Sequence, residues 1–287
     1  MKRATLLLAP LLVAGMIGCS SGSSSKAVVS PPTTAKAPST TAKAPRVQRG
    51  DRYVSLGSSI ASGYGIANQS TFCGRSDRDY SHLVAAKLGH NLTDVSCGAA
   101  VIPNVLDRAQ GSAPPQIVAV TPDTKLITVS VGGNDINLNG TALGCGSPAT
   151  VCSPPATLAA DEAALQGKLV AMLTELKARA PAATVVLVTY PREFPDQNCA
   201  ELSLTDGELS MLRAMGEKLE AASVSAAEQA GVVLVDPYVQ PGDHTACAPA
   251  SERWTAGYKV APGEGFAYHP TALGHEEMAE LIEQALQ

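Results

Sequence analysis

Four turns in this chain carry side chains or backbone groups that suit acyl-transfer chemistry. Ser59 follows a short apolar run, and a small glycine-rich turn there can present its hydroxyl to solvent. Gly98 and Asn134 follow two later apolar runs and offer a backbone N–H and a side-chain amide, the donors that an oxyanion needs. His269 precedes Pro270 near the end of the chain, where an imidazole can serve as a general base. Their joint occurrence after successive runs predicts a single site.

The apolar runs are predicted strands of one parallel sheet. Their near-continuous β-branched character is typical of strands covered on both faces, and they lie at residues 53–56, 92–96, 126–131, 184–188 and 232–235. Helical patterns separate or follow them, at residues 80–88, 158–180, 208–230 and 276–286. This alternation predicts an α/β fold with helices on both faces of the sheet. Ligands of such folds bind beyond the carboxyl ends of the strands, which is where the turns fall.

The turns also resemble, in content and in order, the blocks of the SGNH (GDSL-type) hydrolase superfamily. The blocks are Gly57-Ser58-Ser59, Gly98, Gly132-Gly133-Asn134-Asp135 and His269-Pro270. The match spans residues 51–287 and is similar to the actinobacterial secreted esterase and lipase branch, typified by the scab-organism esterase. This resemblance implies a flavodoxin-like three-layer α/β/α fold with a parallel five-stranded sheet. It also implies hydrolysis of carboxylic esters through a serine acyl-enzyme.

The resemblance assigns roles by position. Ser59 is then the nucleophile and His269 the base. The oxyanion hole consists of the Ser59 N–H, the Gly98 N–H and the Asn134 side chain. We expect an ester of a lipid or of an acylated small molecule as the substrate.

Two positions depart from the family pattern. Ser58 stands where the family has Asp, and we expect it to hydrogen-bond locally. Phe266 stands three residues before His269, where the family places the triad acid. A main-chain carbonyl replaces the carboxylate in the resembling branch, so we predict a Ser–His dyad in which the Phe266 carbonyl accepts from Nδ1. Glu264 is the alternative acceptor.

The N-terminus is predicted to be an export signal. Residues 1–18 combine a short positive segment with an apolar run of signal-peptide length, and Met16-Ile17-Gly18-Cys19 resembles a bacterial lipobox. Cys19 would carry the lipid and anchor the protein outside the cell membrane; an ordinary cleaved signal, and secretion, is the alternative. Residues 19–50 are rich in Ser, Thr, Pro, Ala and Lys, which predicts an extended linker before a hydrolase domain at 51–287.

Composition excludes other classes of protein. With 45% hydrophobic residues the chain has material for a core, which argues against disorder, and only one apolar run approaches membrane length. Residues 51–287 carry 14 basic and 26 acidic residues, a net charge of −12, which disfavours nucleic acid as a partner. We expect a monomer that contacts the membrane through its lipid anchor.

Six cysteines remain when Cys19 is set aside. An even number in an exported chain predicts disulfides, but six cysteines allow fifteen pairings and the spacing does not choose among them. The family resemblance implies sequential pairing, which is Cys73–Cys97, Cys145–Cys152 and Cys199–Cys247. No cysteine cluster has zinc spacing, and we expect neither a metal nor a cofactor.

Two other functions fit the same fold. One is a catalytically inactive scaffold that binds envelope lipid or glycan, although such a module need not keep Ser59, Asn134 and His269 together. The other is a carbohydrate O-acetylesterase, which the 4% aromatic content and the single Trp254 mildly disfavour, because sugar clefts commonly stack on aromatic rings.

Overall fold

The computed structural model of the protein describes residues 47–70, 72–261 and 263–287. The predicted signal peptide, Cys19 and the linker as far as residue 46 therefore lie outside the described residues. Within the described ranges, no helix has the length and apolar character needed to cross a bilayer.

A five-stranded parallel sheet forms the centre of the protein, as the apolar runs predict. Its strands in chain order are β1 (Arg52–Gly57), β2 (Asn91–Asp94), β3 (Thr124–Ser130), β4 (Thr184–Val188) and β5 (Val233–Val235). Their spatial order is β2-β1-β3-β4-β5. This is the flavodoxin-like order, and the chain changes direction across the sheet between β1 and β3. Strands β1, β3 and β4 are almost wholly buried, which explains their continuous apolar sequences.

Seven α-helices are present in the described residues. They are α1 (Ser59–Ser62), α2 (Tyr80–Leu88), α3 (Ile102–Leu106), α4 (Leu138–Gly146), α5 (Leu158–Arg179), α6 (Asp206–Ala230) and α7 (Ala272–Ala285). Helix α2 packs against α7, whereas α5 packs against α6 and α3. Right-handed crossovers place these two groups on opposite faces of the sheet, so the fold has the three expected layers.

Helix ends follow local side-chain chemistry. Thr205 and Glu208 form a capping box at the start of α6, and Gly231 ends that helix in a left-handed conformation with φ of 60°. Helix α7 begins at Ala272, four residues before the predicted start, because the Thr271 hydroxyl accepts the Gly274 N–H.

Three disulfides join the six cysteines in sequential order. Cys73–Cys97 links the segment after α1 to the chain just beyond β2, and Cys145–Cys152 closes a short loop after α4. Cys199–Cys247 spans 48 residues and ties the segment after β4 to the segment after β5. All three therefore lie on the side of the sheet where the strands end.

Candidate active site

The end of β1 is held by an unusual concentration of backbone contacts. Gly57 has φ of 135°, and a Cβ there would lie 2.1 Å from the Ser130 carbonyl oxygen of β3, so only glycine fits. The Gln116 side chain accepts the Gly57 N–H at 2.7 Å and donates to the Gly57 carbonyl at 2.9 Å. The Ser58 N–H donates to the Ser130 carbonyl at 2.9 Å. These contacts therefore fix the position of Ser59, the first residue of α1, relative to the sheet.

Ser59 and His269 lie together although 210 residues separate them in the chain. Their Oγ and Nε2 atoms are 2.8 Å apart, and both residues are buried. Burial lowers the pKa of His269 to about 4, partly opposed by a hydrogen bond to a backbone carbonyl. The imidazole is therefore neutral at pH 7, which is the form that can accept a proton from a serine hydroxyl.

The predicted orienting carbonyl is wrong by one residue. His269 Nδ1 donates to the carbonyl of Ala267 at 2.8 Å, not to that of Phe266. The Phe266 carbonyl accepts instead the backbone N–H of His269, at 3.0 Å, and so closes a tight turn. Tyr268 has φ of 59° within this turn, and the left-handed residue turns the Ala267 carbonyl toward the ring.

No carboxylate hydrogen-bonds to His269 within the described residues. The alternative acceptor Glu264 is exposed and makes no hydrogen bond to the imidazole. Phe266 contributes through its side chain, because its ring packs edge-on against His269 with centroids 5.2 Å apart. The Ala267 carbonyl and the Phe266 ring thus contact the imidazole in place of the usual triad acid.

The three predicted oxyanion donors differ in availability. The Ser59 N–H lies in the first turn of α1, where backbone N–H groups have no partner within the helix. Asn134 donates one amide hydrogen to the Ala100 carbonyl at 3.0 Å, which leaves its second N–H for a ligand. Gly98 departs from the prediction, because its N–H donates to the Cys73 carbonyl at 2.8 Å. The Cys73–Cys97 disulfide brings that carbonyl there, since Cys97 directly precedes Gly98.

Tyr190 is a site residue that the sequence analysis missed. Its hydroxyl lies 3.0 Å from Ser58 Oγ and accepts the Gly133 N–H at 3.2 Å, so it links the two turns that carry Ser59 and Asn134. The expected local hydrogen bond of Ser58 is thus made to a distant tyrosine. The signal was present, because Tyr190 closely follows β4 just as Ser59 follows β1.

Glu193, three residues after Tyr190, carries a buried carboxyl group. Burial raises the pKa of Glu193 to about 8, and its one hydrogen-bonding partner in the described residues is the Asn139 amide, 3.4 Å away. Glu193 is therefore mostly protonated at pH 7. Nothing in the sequence pattern distinguishes it from a surface glutamate.

A cleft of about 650 Å³ opens above Ser59, His269, Gly98 and Asn134. Its apolar lining comes from Tyr64, Phe72, Leu143 and Phe266, and its polar lining includes Asn137 and Asn139. Phe72 is half exposed and Tyr64 is 36% exposed at the rim, so part of the apolar lining faces solvent. The cleft has the size and mixed polarity of a small-molecule site.

A parallel sheet of this order, with a serine–histidine pair beyond the carboxyl end of its first strand, defines an SGNH-type ester hydrolase. The model of the GDSL-like Lipase/Acylhydrolase family matches residues 55–277, and the chain belongs to that family.

Similar proteins agree with this assignment. The chain is 32% identical over 250 residues to Lipase 2 of Streptomyces coelicolor, covering 79% of this chain and 83% of that protein. It is 28% identical over 247 residues to an esterase of Streptomyces scabiei, covering 68% and 72%. The crystal structure of phospholipase A1 from Streptomyces albidoflavus matches with a TM-score of 0.68 at 25% identity, covering 82% of this chain and 99% of that one. The protein is accordingly a carboxylic ester hydrolase.

Proposed function

We propose that the protein hydrolyses carboxylic esters through an acyl-enzyme on Ser59, with His269 as the general base and no carboxylate in the catalytic unit. The observation that carries this proposal is the 2.8 Å approach of Ser59 Oγ and His269 Nε2 at the floor of the cleft. The contact of Nδ1 with the Ala267 carbonyl supports it, because that contact places the proton on Nδ1 and leaves the Nε2 lone pair facing the serine.

The reaction has two halves. Ser59 Oγ attacks the ester carbonyl carbon while His269 Nε2 takes the hydroxyl proton. The tetrahedral intermediate collapses, the C–O bond to the alcohol breaks, and His269 protonates the departing alkoxide. Water then attacks the acyl-enzyme with His269 again as base, which releases the carboxylic acid and restores the serine hydroxyl. The Ala267 carbonyl dipole stabilises the transient imidazolium.

The developing oxyanion is held by the Ser59 N–H and the free amide hydrogen of Asn134. Gly98 becomes a third donor only if the Cys73 carbonyl moves away from its N–H. Each such donor typically contributes about 3 kcal/mol to the stability of the transition state.

The lining of the cleft favours esters with an apolar acyl or alcohol group. Tyr64, Phe72 and Phe266 form an aromatic rim, and their exposed area can be covered by a lipid-like substrate. A short polar ester leaves that area in water. We therefore propose lipid esters as substrates, in keeping with the lipases among the similar proteins.

A series of p-nitrophenyl esters of increasing chain length tests both parts of the proposal. We expect kcat/KM to rise from the acetate to medium chains, and a fluorophosphonate probe to label the wild type but not Ser59→Ala. Ser58→Ala is the matched control and should remain labelled. Labelling that survives in Ser59→Ala and disappears in Ser58→Ala would move the nucleophile by one residue. Fastest hydrolysis of the acetate would favour the O-acetylesterase alternative.

We also propose that residues 1–18 are a lipoprotein signal peptide, that Cys19 is lipidated, and that residues 19–50 tether a monomeric hydrolase domain at 51–287. The support is the lipobox-like Met16-Ile17-Gly18-Cys19 and the polar, proline-rich composition that follows. In a bacterial host, the wild type should partition into the detergent phase of a Triton X-114 extract, whereas Cys19→Ser should stay in the aqueous phase. Equal partitioning of the two proteins would contradict lipidation.

A further inference from the structure

A second cluster of ionisable side chains lies away from the serine–histidine pair. Asp79 caps the N-terminus of α2, His82 is on the first turn of that helix, and Asp94 is the last residue of β2. One donor atom from each, two carboxylate oxygens and an imidazole nitrogen, lies within 4.8 Å of the other two. Nothing in the ester hydrolysis described above uses these residues.

The carboxylates have lone pairs that the protein leaves without donors. Asp94 Oδ1 accepts from the Ser96 N–H and hydroxyl, but the buried Oδ2 accepts no hydrogen bond within the described residues. The Asp94 side chain is only 5% exposed, and the nearby Arg75 Nε is 4.0 Å from Oδ2, beyond hydrogen-bonding distance. Arg75 thus forms a long ion pair with this oxygen but no hydrogen bond, so the buried Oδ2 keeps an open position that a cation can fill.

The two carboxylate oxygens of Asp79 also differ in their hydrogen-bonding partners. Its Oδ1 atom accepts from the Ser81 N–H and hydroxyl and from the His82 N–H, as a helix cap does. His82 Nδ1 lies 3.1 Å from both Oδ1 and Oδ2, and Oδ2 has no other hydrogen-bonding partner in the described residues. The cap therefore uses one oxygen of a fully buried carboxylate and leaves the other for the cluster.

The cluster opens to solvent on one side. A recess of about 600 Å³ is lined by His82 and Asp94 together with Asn68, Asp77 and Arg75. The His82 side chain is 35% exposed, so it can rotate without disturbing the core. An ion can therefore enter, and water from the recess can complete its coordination.

We propose that Asp79, His82 and Asp94 form a binding site for a divalent cation, and that the ion is Zn²⁺. Two carboxylates and one imidazole are ligands that zinc accepts, whereas Ca²⁺ and Mg²⁺ prefer oxygen alone. Ligands of one tetrahedral zinc ion lie roughly 3.4 Å apart, and His82 Nδ1 already lies 3.1 Å from the Asp79 oxygens. Rotation of the part-exposed His82 side chain can adjust its distance to Asp94. The cysteines contribute nothing here, since all six in the described domain form disulfides.

The site adjoins the catalytic elements. A Cβ on Gly63, the residue that ends α1, would lie 3.0 Å from Asp79 Cβ, so the cap of α2 packs directly behind the helix that carries Ser59. A bound ion joins the end of β2 to the start of α2. It thereby fixes the segment between α1 and α2, which supplies Tyr64 to the cleft. The proposed role is to stabilise that segment and not to take part in ester cleavage.

Zinc titration of the untagged full-length protein, after treatment with EDTA and dialysis, tests the proposal. We expect one Zn²⁺ per chain, an increase in Tm, and at least tenfold weaker binding by Asp94→Asn and His82→Gln. Asp77→Asn is the matched control, because Asp77 lines the recess without belonging to the cluster, and it should bind within threefold of the wild type. Circular dichroism checks the fold of each variant. His82→Gln alters a half-buried side chain, which keeps the test valid if Asp94→Asn fails to fold.

Three results would overturn the assignment. Absence of zinc binding by the wild type would mean that Arg75 and His82 neutralise the carboxylates without an ion. Undiminished binding by His82→Gln would place the ion elsewhere in the protein. Tighter binding of Ca²⁺ than of Zn²⁺ would show that the imidazole is not a ligand.

Discussion

The two members of the proposed catalytic pair are held by different kinds of structure. Ser59 follows directly from β1, and the residues before it are fixed by β3 and by the Gln116 side chain. His269 lies in a loop, and its ring is oriented by the carbonyl of Ala267, two residues earlier in that loop. Ser59 thus takes its position from the sheet, whereas His269 takes its position from local backbone conformation.

The surroundings of Ser59 and of His269 should therefore tolerate different substitutions. At the serine, the backbone of a neighbouring strand leaves no room for a side chain at Gly57. At the histidine, the accepting group belongs to the main chain, so no side-chain substitution removes it. Added side chains near Ser59 should therefore be destabilising. Loss of carboxylates near His269 should leave activity almost unchanged.

The largest effect should come from removing the proposed base. His269→Ala should lower kcat by about 10⁴-fold or more, because the residues of such a unit act together. His275→Ala is a matched control, since burial also lowers the pKa of His275 to about 4, yet its Nδ1 accepts the Tyr80 N–H. That variant should lose thermal stability and keep kcat within tenfold. Equal losses of kcat in two folded variants would contradict the assignment of the base.

The next largest effect should come from adding a side chain at a glycine near Ser59 or near His269. Gly57→Ala and Gly265→Ala both place a side chain at positive φ, 135° and 139° respectively. The nearest atom to the new Cβ is 2.1 Å away at Gly57 but 3.3 Å away at Gly265. We expect Gly57→Ala to lower the free energy of unfolding by about 3 kcal/mol or more, and Gly265→Ala by about 1 kcal/mol. Urea denaturation measures both, and similar losses would show that the sheet side is no more rigid than the loop.

The pH profile should report the burial of the base. Because burial lowers the pKa of His269 to about 4, the neutral imidazole persists well below its ordinary range. Activity should therefore hold down to about pH 5 and fall as the pH drops through about 4, provided circular dichroism shows an intact fold. Phe266→Ala, which uncovers the ring, should move this fall to higher pH. A midpoint near pH 6.5 in the wild type would show that the imidazole is solvated.

The smallest effect should come from the loop carboxylate. Glu264→Gln should change kcat by less than about tenfold, or ~1.4 kcal/mol, because Glu264 is exposed and has no contact with His269. Removal of a true triad acid costs on the order of 10⁴-fold. A loss of several thousandfold with the fold intact would show that a carboxylate orients the base after all.

Helices and strands were predictable where a single sequence pattern, such as a continuous apolar run, dominates. The buried run of β4 and the helix α2 begin and end at the predicted residues. Helices α3 and α4 were missed, because α3 is a single short turn segment and α4 contains three glycines, which weaken a helical pattern. Their formation depends on burial against other elements, which a single sequence does not display.

The site was predictable in composition but not in its hydrogen bonds. The strand-end rule located the turns of Ser59, Gly98 and Asn134, since it depends only on the order of strands and turns. The identity of the carbonyl facing His269 depends on the left-handed conformation of Tyr268, which its residue type disfavours. The engagement of the Gly98 N–H depends on where a disulfide brings the Cys73 carbonyl. Both are tertiary effects without a sequence pattern.

Within the described residues no carboxylate hydrogen-bonds to His269, and this has a consequence for the response of the enzyme to salt. In the resting state Ser59, His269 and the Ala267 carbonyl are all uncharged, so dissolved ions have no ion pair to screen among them. In the proposed mechanism charge separates only in the transition state, between the buried residues Ser59 and His269. The chemical step should therefore be almost independent of ionic strength, and any salt dependence of kcat/KM should arise from the encounter between substrate and the acidic surface of the domain.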